Sequence, residues 1–173
     1  MTRLERILPE VAVSGEYDIE RLITSAPDKT TLVDLELSGN PRCLALVRRL
    51  LEASAHSMLL DPVLLNDIKL AVTEACTNVI KHAFKYDPSK RFGLNIQISP
   101  ILYLIRVIYE DTEFKPDAIP LPDLNNIREG GLGVYIIRNI MDDVVYSTDP
   151  PTGTVTLRMV KLLKPPSPPG GPT

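Results

Sequence analysis

The chain has 173 residues, of which 44% are hydrophobic and 24% are charged, and its formal net charge is −3 at pH 7. These values fit one globular domain with a substantial core and room for short additions. The net charge gives no overall attraction to nucleic acid, and the cation pairs at 48–49 and 90–91 are too sparse to form a basic patch. We therefore expect no direct nucleic-acid partner.

The sequence also lacks the features of a membrane or secreted protein. Its longest apolar runs, such as residues 100–105, fall far short of the ~20 apolar residues that a membrane span needs. The amino-terminal sequence MTRLERILPEVAV has neither the apolar core nor the cleavage site of a signal peptide. Cys43 and Cys76 lie in apolar helical patterns, which predicts buried thiols in a reducing compartment and no metal site. We expect a cytoplasmic protein without membrane contact.

The first part of the chain reads as an extension followed by a strand and a helix. Residues 1–30 are an extension of unknown role, in which residues 17–23 suit a short helix. Residues 31–37 alternate apolar and polar side chains, which predicts a half-buried strand. Asn40 then suits a helix N-cap, and helical spacing of leucine and valine predicts an amphipathic helix over 42–57.

The next helix carries the pattern on which the functional interpretation depends. It starts at Asp61 with a proline behind the cap, and it is predicted to end near Lys85. Glu74, Asn78 and His82 follow each other at intervals of four residues and form one polar row on this helix. On a neighbouring face lies an apolar stripe of Ile68, Val72, Ala75, Cys76, Val79 and Ala83.

The polar row has two interpretations. Any amphipathic helix carries polar residues away from its apolar face, so the row can be a solvated surface. Asn and His, however, have poorer helix propensity than the Lys, Glu, Gln and Arg that suit a solvated face. A row that lines a functional site therefore stays open as the second interpretation.

Two strands, a long loop and a glycine-rich helix start follow. Residues 92–99 and 101–109 are separated only by Pro100 and are predicted to form an antiparallel hairpin. Residues 110–128 form a loop whose length is usual for functional or disordered segments. The glycines at 130–133 open a helix that is predicted to reach Met141.

The carboxyl-terminal part contributes two more strands, over 144–147 and 154–163, and a flexible tail over 164–173 that is rich in proline and glycine. The element order is therefore β-α-α-β-β-loop-α-β-β. This order predicts an α+β fold, a two-layer sandwich with a mostly antiparallel mixed sheet and helices on one face.

A glycine-rich stretch at a helix start lets backbone N–H groups approach a phosphate, but it equally suits an ordinary turn. Together with the polar helix it has a more specific meaning. The chain resembles the GHKL ATPases with the Bergerat fold, specifically the anti-sigma-factor serine kinases. The resemblance rests on EACTNVIKHAF at 74–84, Asp111 at a strand end, GGLGVYIIRNIMDDV at 130–144 and GTVTL at 153–157.

The resemblance implies a histidine-kinase-like ATPase domain over residues 31–163. It further implies a homodimeric cytoplasmic protein that binds a sigma factor. Such a protein phosphorylates a serine of an anti-sigma-factor antagonist and uses ATP with Mg²⁺. For the dimer, the edge of the strand over 31–37 is a candidate interface.

The family's residue roles transfer to matching positions of this chain. Glu74 matches the catalytic base that takes the proton of the attacking hydroxyl, and Asn78 matches the magnesium ligand. Gly131, Leu132 and Gly133 match the backbone that cradles the phosphates. The resemblance thus places catalytic, metal and phosphate groups on two helices.

On the base side of the nucleotide, Asp111 matches the aspartate that accepts a hydrogen bond from the adenine amino group, and Thr154 matches a residue that reaches an ordered water near the base. His82 can be a residue of helix packing alone. The chain departs from the family where a glycine normally follows two residues after the aspartate, because Glu113 stands there.

Two other functions stay open. A non-catalytic module with the same fold would sequester a sigma factor or an antagonist with weak or no ATP binding, and the altered loop after Asp111 favours it. The ATP-binding part of a sensor histidine kinase is disfavoured, because the helix before the ATP-binding segments offers only His56, without an acidic neighbour.

Overall fold

A computed structural model describes residues 19–26, 30–58, 60–115 and 132–163. The helices are α1 (Ile19–Ser25), α2 (Cys43–Met58), α3 (Pro62–Asn78) and α4 (Leu132–Ile140). A π-helical segment, Val79–Ala83, continues α3 directly. The strands are β1 (Thr30–Ser38), β2 (Arg91–Ile98), β3 (Leu102–Glu110), β4 (Asp143–Asp149) and β5 (Thr154–Leu162).

The strands form one sheet in the order β1-β2-β3-β5-β4. Each pairing among the described residues is antiparallel, which agrees with the predicted mostly antiparallel sheet. The predicted hairpin of β2 and β3 is confirmed, and the Ser99 hydroxyl closes its turn by accepting from the amides of Ile101 and Leu102. Among the strands that the structure describes, β1 pairs only with β2 and lies at an edge of the sheet.

The main core lies between the sheet and α2, α3 and α4, which confirms a two-layer α+β fold. The predicted apolar stripe of α3 faces this core, with Ile68, Val72 and Cys76 almost completely buried. Cys76 is a buried free thiol as predicted, whereas Cys43 is only half-buried. Among the described helices, none combines the length and apolarity needed to cross a membrane.

The opposite face of the sheet carries a second, smaller core. The short helix α1 covers it, with Leu22 and Ala26 packed against Leu104 and Val160 of the two central strands. Arg158 on β5 adds polar contacts on this face, because its guanidinium reaches Glu20 of α1 at 2.6 Å and Asp143 at 2.9 Å. The three longer helices share one face, as predicted, and α1 lies on the other.

Of the two predicted helix starts, the one at Asp61 is confirmed, whereas α2 begins at Cys43, two residues later than the predicted start at Pro41. The side chain of Asn40 accepts a hydrogen bond from the amide of Arg42 at 3.0 Å, one residue before α2. Asp61 caps α3 by accepting from the Leu64 amide, and Pro62 is the first residue of α3. The start at Asp61 follows the preference of side-chain oxygens for the free N–H groups of a first helical turn, whereas the Asn40 bond belongs to the turn before α2.

Candidate functional site

The side chains of Glu74 and Asn78 lie one turn apart on α3 and both are half-buried. Their common position follows from the helical spacing of four residues, which stacks them on one face. α4 packs against α3, and it brings its first turn over these two side chains. The predicted base and metal ligand therefore meet the glycine-rich helix start in space.

Gly133 is the contact point between the two helices. A Cβ atom built at this position would lie 2.9 Å from Oε2 of Glu74 and 3.2 Å from both Oδ1 and Nδ2 of Asn78. The first of these distances is too short for any real Cβ atom. Any side chain at this position would require the Glu74 carboxylate or α4 to shift, so glycine allows the close approach without displacement.

The amide of Asn78 has unused hydrogen-bonding capacity. Its Nδ2 atom is buried and has no hydrogen-bond partner among the residues that the structure describes. Rotation of a side-chain amide by 180° exchanges its oxygen and nitrogen, so the same position can present an acceptor. A buried polar atom without a partner is costly, which is typical of a group that binds something further.

These features fit a magnesium nucleotide. An amide oxygen is a hard ligand of the kind that Mg²⁺ takes, and Mg²⁺ bound to phosphates needs only one or two protein ligands. Among the described residues, no group of three or more His, Cys, Asp or Glu is placed to hold a metal ion by itself. The first turn of α4 adds backbone N–H groups, which have no partner within the helix and favour anions.

Asp111 lies just beyond β3 and is held by the backbone of its own turn. Its amide donates to the carbonyl oxygen of Gly153 at 2.9 Å, and its Oδ1 accepts from the amide of Glu113 at 3.0 Å. The turn after Asp111 is therefore tied to the turn between β4 and β5.

Comparison with known proteins identifies the fold and its family. Residues 37–161 match the histidine kinase-like ATPase domain. The serine-protein kinase RsbW of Bacillus licheniformis is 30% identical over 139 residues, which cover 76% of this chain and 85% of that protein. RsbW of Staphylococcus aureus is 29% identical over 161 residues, covering 87% and 90%. The chain belongs to the anti-sigma-factor serine kinases of the histidine kinase-like ATPase family.

Solved structures have the same fold at low sequence identity. The SiaB-SiaC complex of Pseudomonas aeruginosa contains a chain with a TM-score of 0.58 at 13% identity, and the match covers 84% of this chain and 95% of that one. A Mycobacterium tuberculosis protein with RsbU and RsbW domains matches with a TM-score of 0.56 at 16% identity. That match covers 77% of this chain but only 32% of the other, much larger chain.

The structure places most of the site residues predicted for this kinase-family chain in two groups. Glu74, Asn78 and Gly133 come together, and Leu132 begins α4 beside them with 48% of its surface exposed. Asp111 lies near Thr154, the first residue of β5, because Glu110 and Thr154 are paired in the sheet. Gly131 lies outside the described residues, as do residues 1–18, most of the loop over 110–128 and the tail over 164–173.

The polar row of this kinase-family chain is interrupted after Asn78. The helix widens there into its π segment, closed by the amide of Phe84 donating to the carbonyl of Val79. His82 therefore no longer follows the α-helical spacing and is exposed. Although His82 is exposed, partial desolvation of its ring and the charges of Lys81 and Lys85 lower its pKa. This histidine stands apart from the site.

Sequence reasoning missed the residues that hold the Asp111 turn of this kinase-family chain in place. Gly153 adopts a positive φ of 69°, and a Cβ atom built on it would lie 2.6 Å from Cγ2 of Thr112. The Pro-Pro-Thr-Gly turn that contains Gly153 was a usable signal, because such turns often need glycine at a left-handed position. The ring of Phe114, which packs on Tyr146, had no such local signal.

Proposed function

We propose that this protein is an ATP-dependent protein serine kinase that binds a sigma factor and phosphorylates a serine of an anti-sigma-factor antagonist. Membership of the anti-sigma-factor serine kinases supports the reaction class, and the relatives named above are serine-protein kinases. The observation that carries the proposal is the close approach of Gly133 to Glu74 and Asn78. It joins a carboxylate, an amide and free backbone N–H groups at one point.

Glu74 is the proposed general base. In the transfer step its carboxylate takes the proton of the serine hydroxyl, and the serine oxygen bonds to the γ-phosphorus of ATP. The bond between this phosphorus and the β,γ-bridging oxygen breaks, and ADP leaves. A base must lie next to the attacking group, and Glu74 lies against the helix start where the phosphates are proposed to bind. The remaining catalysis comes from positioning and charge neutralisation.

Asn78 is the proposed ligand of Mg²⁺, and its amide has the free capacity for it. When bound, Mg²⁺ neutralises charge on the phosphates and orients them. The amides of Gly131, Leu132 and Gly133 are proposed to donate to the phosphates from the start of α4. Asp111 and Thr154 are proposed to hold the adenine at the other end, directly and through a water.

The experiment that tests this function is transfer of labelled γ-phosphate from ATP to the anti-sigma-factor antagonist of the same organism. The chain is expected to label one serine of the antagonist in the presence of Mg²⁺. Glu74→Gln should abolish transfer and leave ATP binding nearly unchanged. Asp67→Asn is the matched control, because Asp67 is an exposed carboxylate on the same helix, α3. Undiminished transfer by Glu74→Gln would remove Glu74 as the base.

The second candidate is a non-catalytic module that binds a sigma factor or antagonist without phosphate transfer. The turn after Asp111 favours it, because Glu113 stands where the family has glycine. Calorimetric titration with ATP, with and without Mg²⁺, separates the two candidates. Binding that needs Mg²⁺ and weakens in Asn78→Ala supports the kinase, with Asn139→Ala, an exposed asparagine on α4, as control. Absence of binding supports the module.

A homodimer is part of the same proposal, and the edge strand β1 offers backbone N–H and C=O groups on its unpaired side. Sedimentation at micromolar concentration should give the mass of two chains. Replacing Leu35, which is 36% exposed on β1, by lysine should then lower the association. A monomer mass for the unchanged chain would contradict the dimer.

A further inference from the structure

A series of aromatic rings leads from the Asp111 turn into the core. Phe114 stacks on Tyr146 of β4, with ring centroids 5.5 Å apart and planes inclined by 28°. Its edge also meets Tyr109 of β3, with centroids 6.4 Å apart and an angle of 83°. Tyr109 in turn contacts Phe84 at the end of the π segment, with centroids 6.4 Å apart. These are the geometries in which aromatic pairs attract each other.

The stacked ring is connected to Asp111 through a very short piece of chain. The amide of Phe114 donates to the carbonyl oxygen of Asp111 at 3.3 Å, and the amide of Glu113 donates to the Asp111 carboxylate. Because only two residues lie between Asp111 and Phe114, the position of the ring restricts the whole turn. Glu113 stands where the family's loop has glycine, so the turn of this chain differs from the family pattern.

Tyr146 also lies close to α4. Burial raises the pKa of Tyr146, and the nearby guanidinium of Arg138 on α4 partly opposes this increase. Tyr109 is 7% exposed, and its pKa is raised by burial and by the neighbouring charges of Tyr146 and Asp111. The two phenols, the aspartate and α4 therefore share one neighbourhood, next to the proposed nucleotide site.

We propose that Phe114 and Tyr146 are positioning residues that fix the Asp111 carboxylate and thereby set the preference for adenine over guanine nucleotides. This inference rests on the proposed function. A fixed carboxylate accepts from the 6-amino group of adenine, whereas guanine carries an oxygen at that position. Two acceptors then face each other without a hydrogen, which is unfavourable in a half-buried site. A turn that moves freely loses this discrimination.

The test compares the affinities for MgATP and MgGTP by calorimetry in three variants of the full chain. Tyr146→Leu keeps an apolar side chain but removes the stacking ring, and it should weaken ATP binding about 3- to 10-fold. Its effect on GTP should be much smaller, so the ratio of the two affinities falls. Tyr146→Phe keeps the ring and should retain the ratio of the unchanged chain. Phe114→Leu should behave as Tyr146→Leu does.

A double-mutant cycle with Asp111→Ala shows whether the ring acts through the aspartate. In the Asp111→Ala background, Tyr146→Leu should have no further effect on the affinity ratio. Equal losses for ATP and GTP, or a full additional effect in that background, would overturn the inference. Tighter ATP binding by Phe114→Leu would also overturn it, because the ring would then occupy the nucleotide site. Urea unfolding of each variant identifies losses that come from misfolding.

The result for the unchanged chain separates the two proposals. If it binds neither nucleotide, the proposed function fails and this inference fails with it. If it binds ATP with Mg²⁺ and the ratio of its ATP and GTP affinities is the same in Tyr146→Leu, only the inference fails.

Discussion

The backbone amide of Asp111 donates to the carbonyl oxygen of Gly153 across 2.9 Å, so the predicted adenine-binding turn is fastened to the turn between β4 and β5. Thr112 packs over the same glycine, and its Cγ2 atom occupies the space that a side chain at 153 would need. The two turns therefore behave as one unit. A change at Gly153 should therefore alter the position of Asp111, although the two residues are 42 positions apart in the sequence.

The first prediction concerns Gly153→Ala. The left-handed backbone at φ 69° costs about 1–2 kcal/mol for alanine, and the contact with Thr112 adds to this. We expect a lower free energy of unfolding in urea and weaker ATP binding. Gly93→Ala is the matched control, since the atoms nearest to its Cβ lie 3.7 and 3.8 Å away. ATP affinity unaffected by Gly153→Ala would contradict the coupling of the two turns.

The second prediction concerns Gly133→Ala. The new methyl group meets the Glu74 carboxylate at 2.9 Å, so Glu74 or α4 must shift. Displacement of a catalytic group by a fraction of an ångström to one ångström lowers rates by up to about 100-fold, and we expect a 10- to 100-fold loss in phosphate transfer. Alanine favours helix over glycine by up to ~1 kcal/mol, which offsets the cost of the contact with Glu74. The free energy of unfolding should therefore change little. Gly93→Ala again serves as control, and a normal transfer rate in Gly133→Ala would contradict the proposed site.

The third prediction concerns pH and His82. Because burial and two lysines lower the pKa of His82 in the folded state, the unfolded chain binds the proton more readily. Protonation below the ordinary histidine pKa of about 6.5 therefore favours unfolding, and the stability contributed by neutral His82 is lost as pH falls through that value. His82→Gln should show a smaller decrease in urea midpoint between pH 7.5 and 5.5 than the unchanged chain. Equal decreases would show that other groups cause the pH dependence.

Those parts of the fold that depend on local chemistry could be predicted from the sequence. Alternation predicted β1 and β2, and the cap Asp61 marked the start of α3 correctly, whereas the start predicted at Asn40 lies two residues too early. Spacing also placed Glu74 and Asn78 on one face, and the family pattern linked them to Gly133.

What could not be predicted depends on contacts between residues distant in sequence. The π segment changes the register after Asn78, and nothing in VIKHA marks it, since these residues are compatible with both helix types. The stacking of Phe114 on Tyr146 requires the sheet to bring β4 beside the Asp111 turn. α1 was expected only as a possible short helix in an extension, because its apolar residues show a pattern but not the surface they cover.

The last prediction tests whether α1 belongs to the folded unit. Leu22 is 1% exposed and packs with Leu102, Leu104 and Val160 on the sheet face opposite the three longer helices. A buried leucine changed to alanine typically costs 2–5 kcal/mol, so Leu22→Ala should lower the urea midpoint clearly. Leu46→Ala on α2 is the matched control, because Leu46 is 47% exposed and little burial is lost.

The rate of phosphate transfer shows whether α1 contributes to stability alone or also to the site. Since Leu22 lies on the face of the sheet away from Glu74 and Gly133, Leu22→Ala should keep its transfer rate at temperatures where the variant is folded. Equal urea midpoints for Leu22→Ala and the unchanged chain would mean that α1 is not docked in solution. In that case the apolar residues of β3 and β5 on that face would be exposed, and the chain should bind a hydrophobic dye such as ANS in its native state.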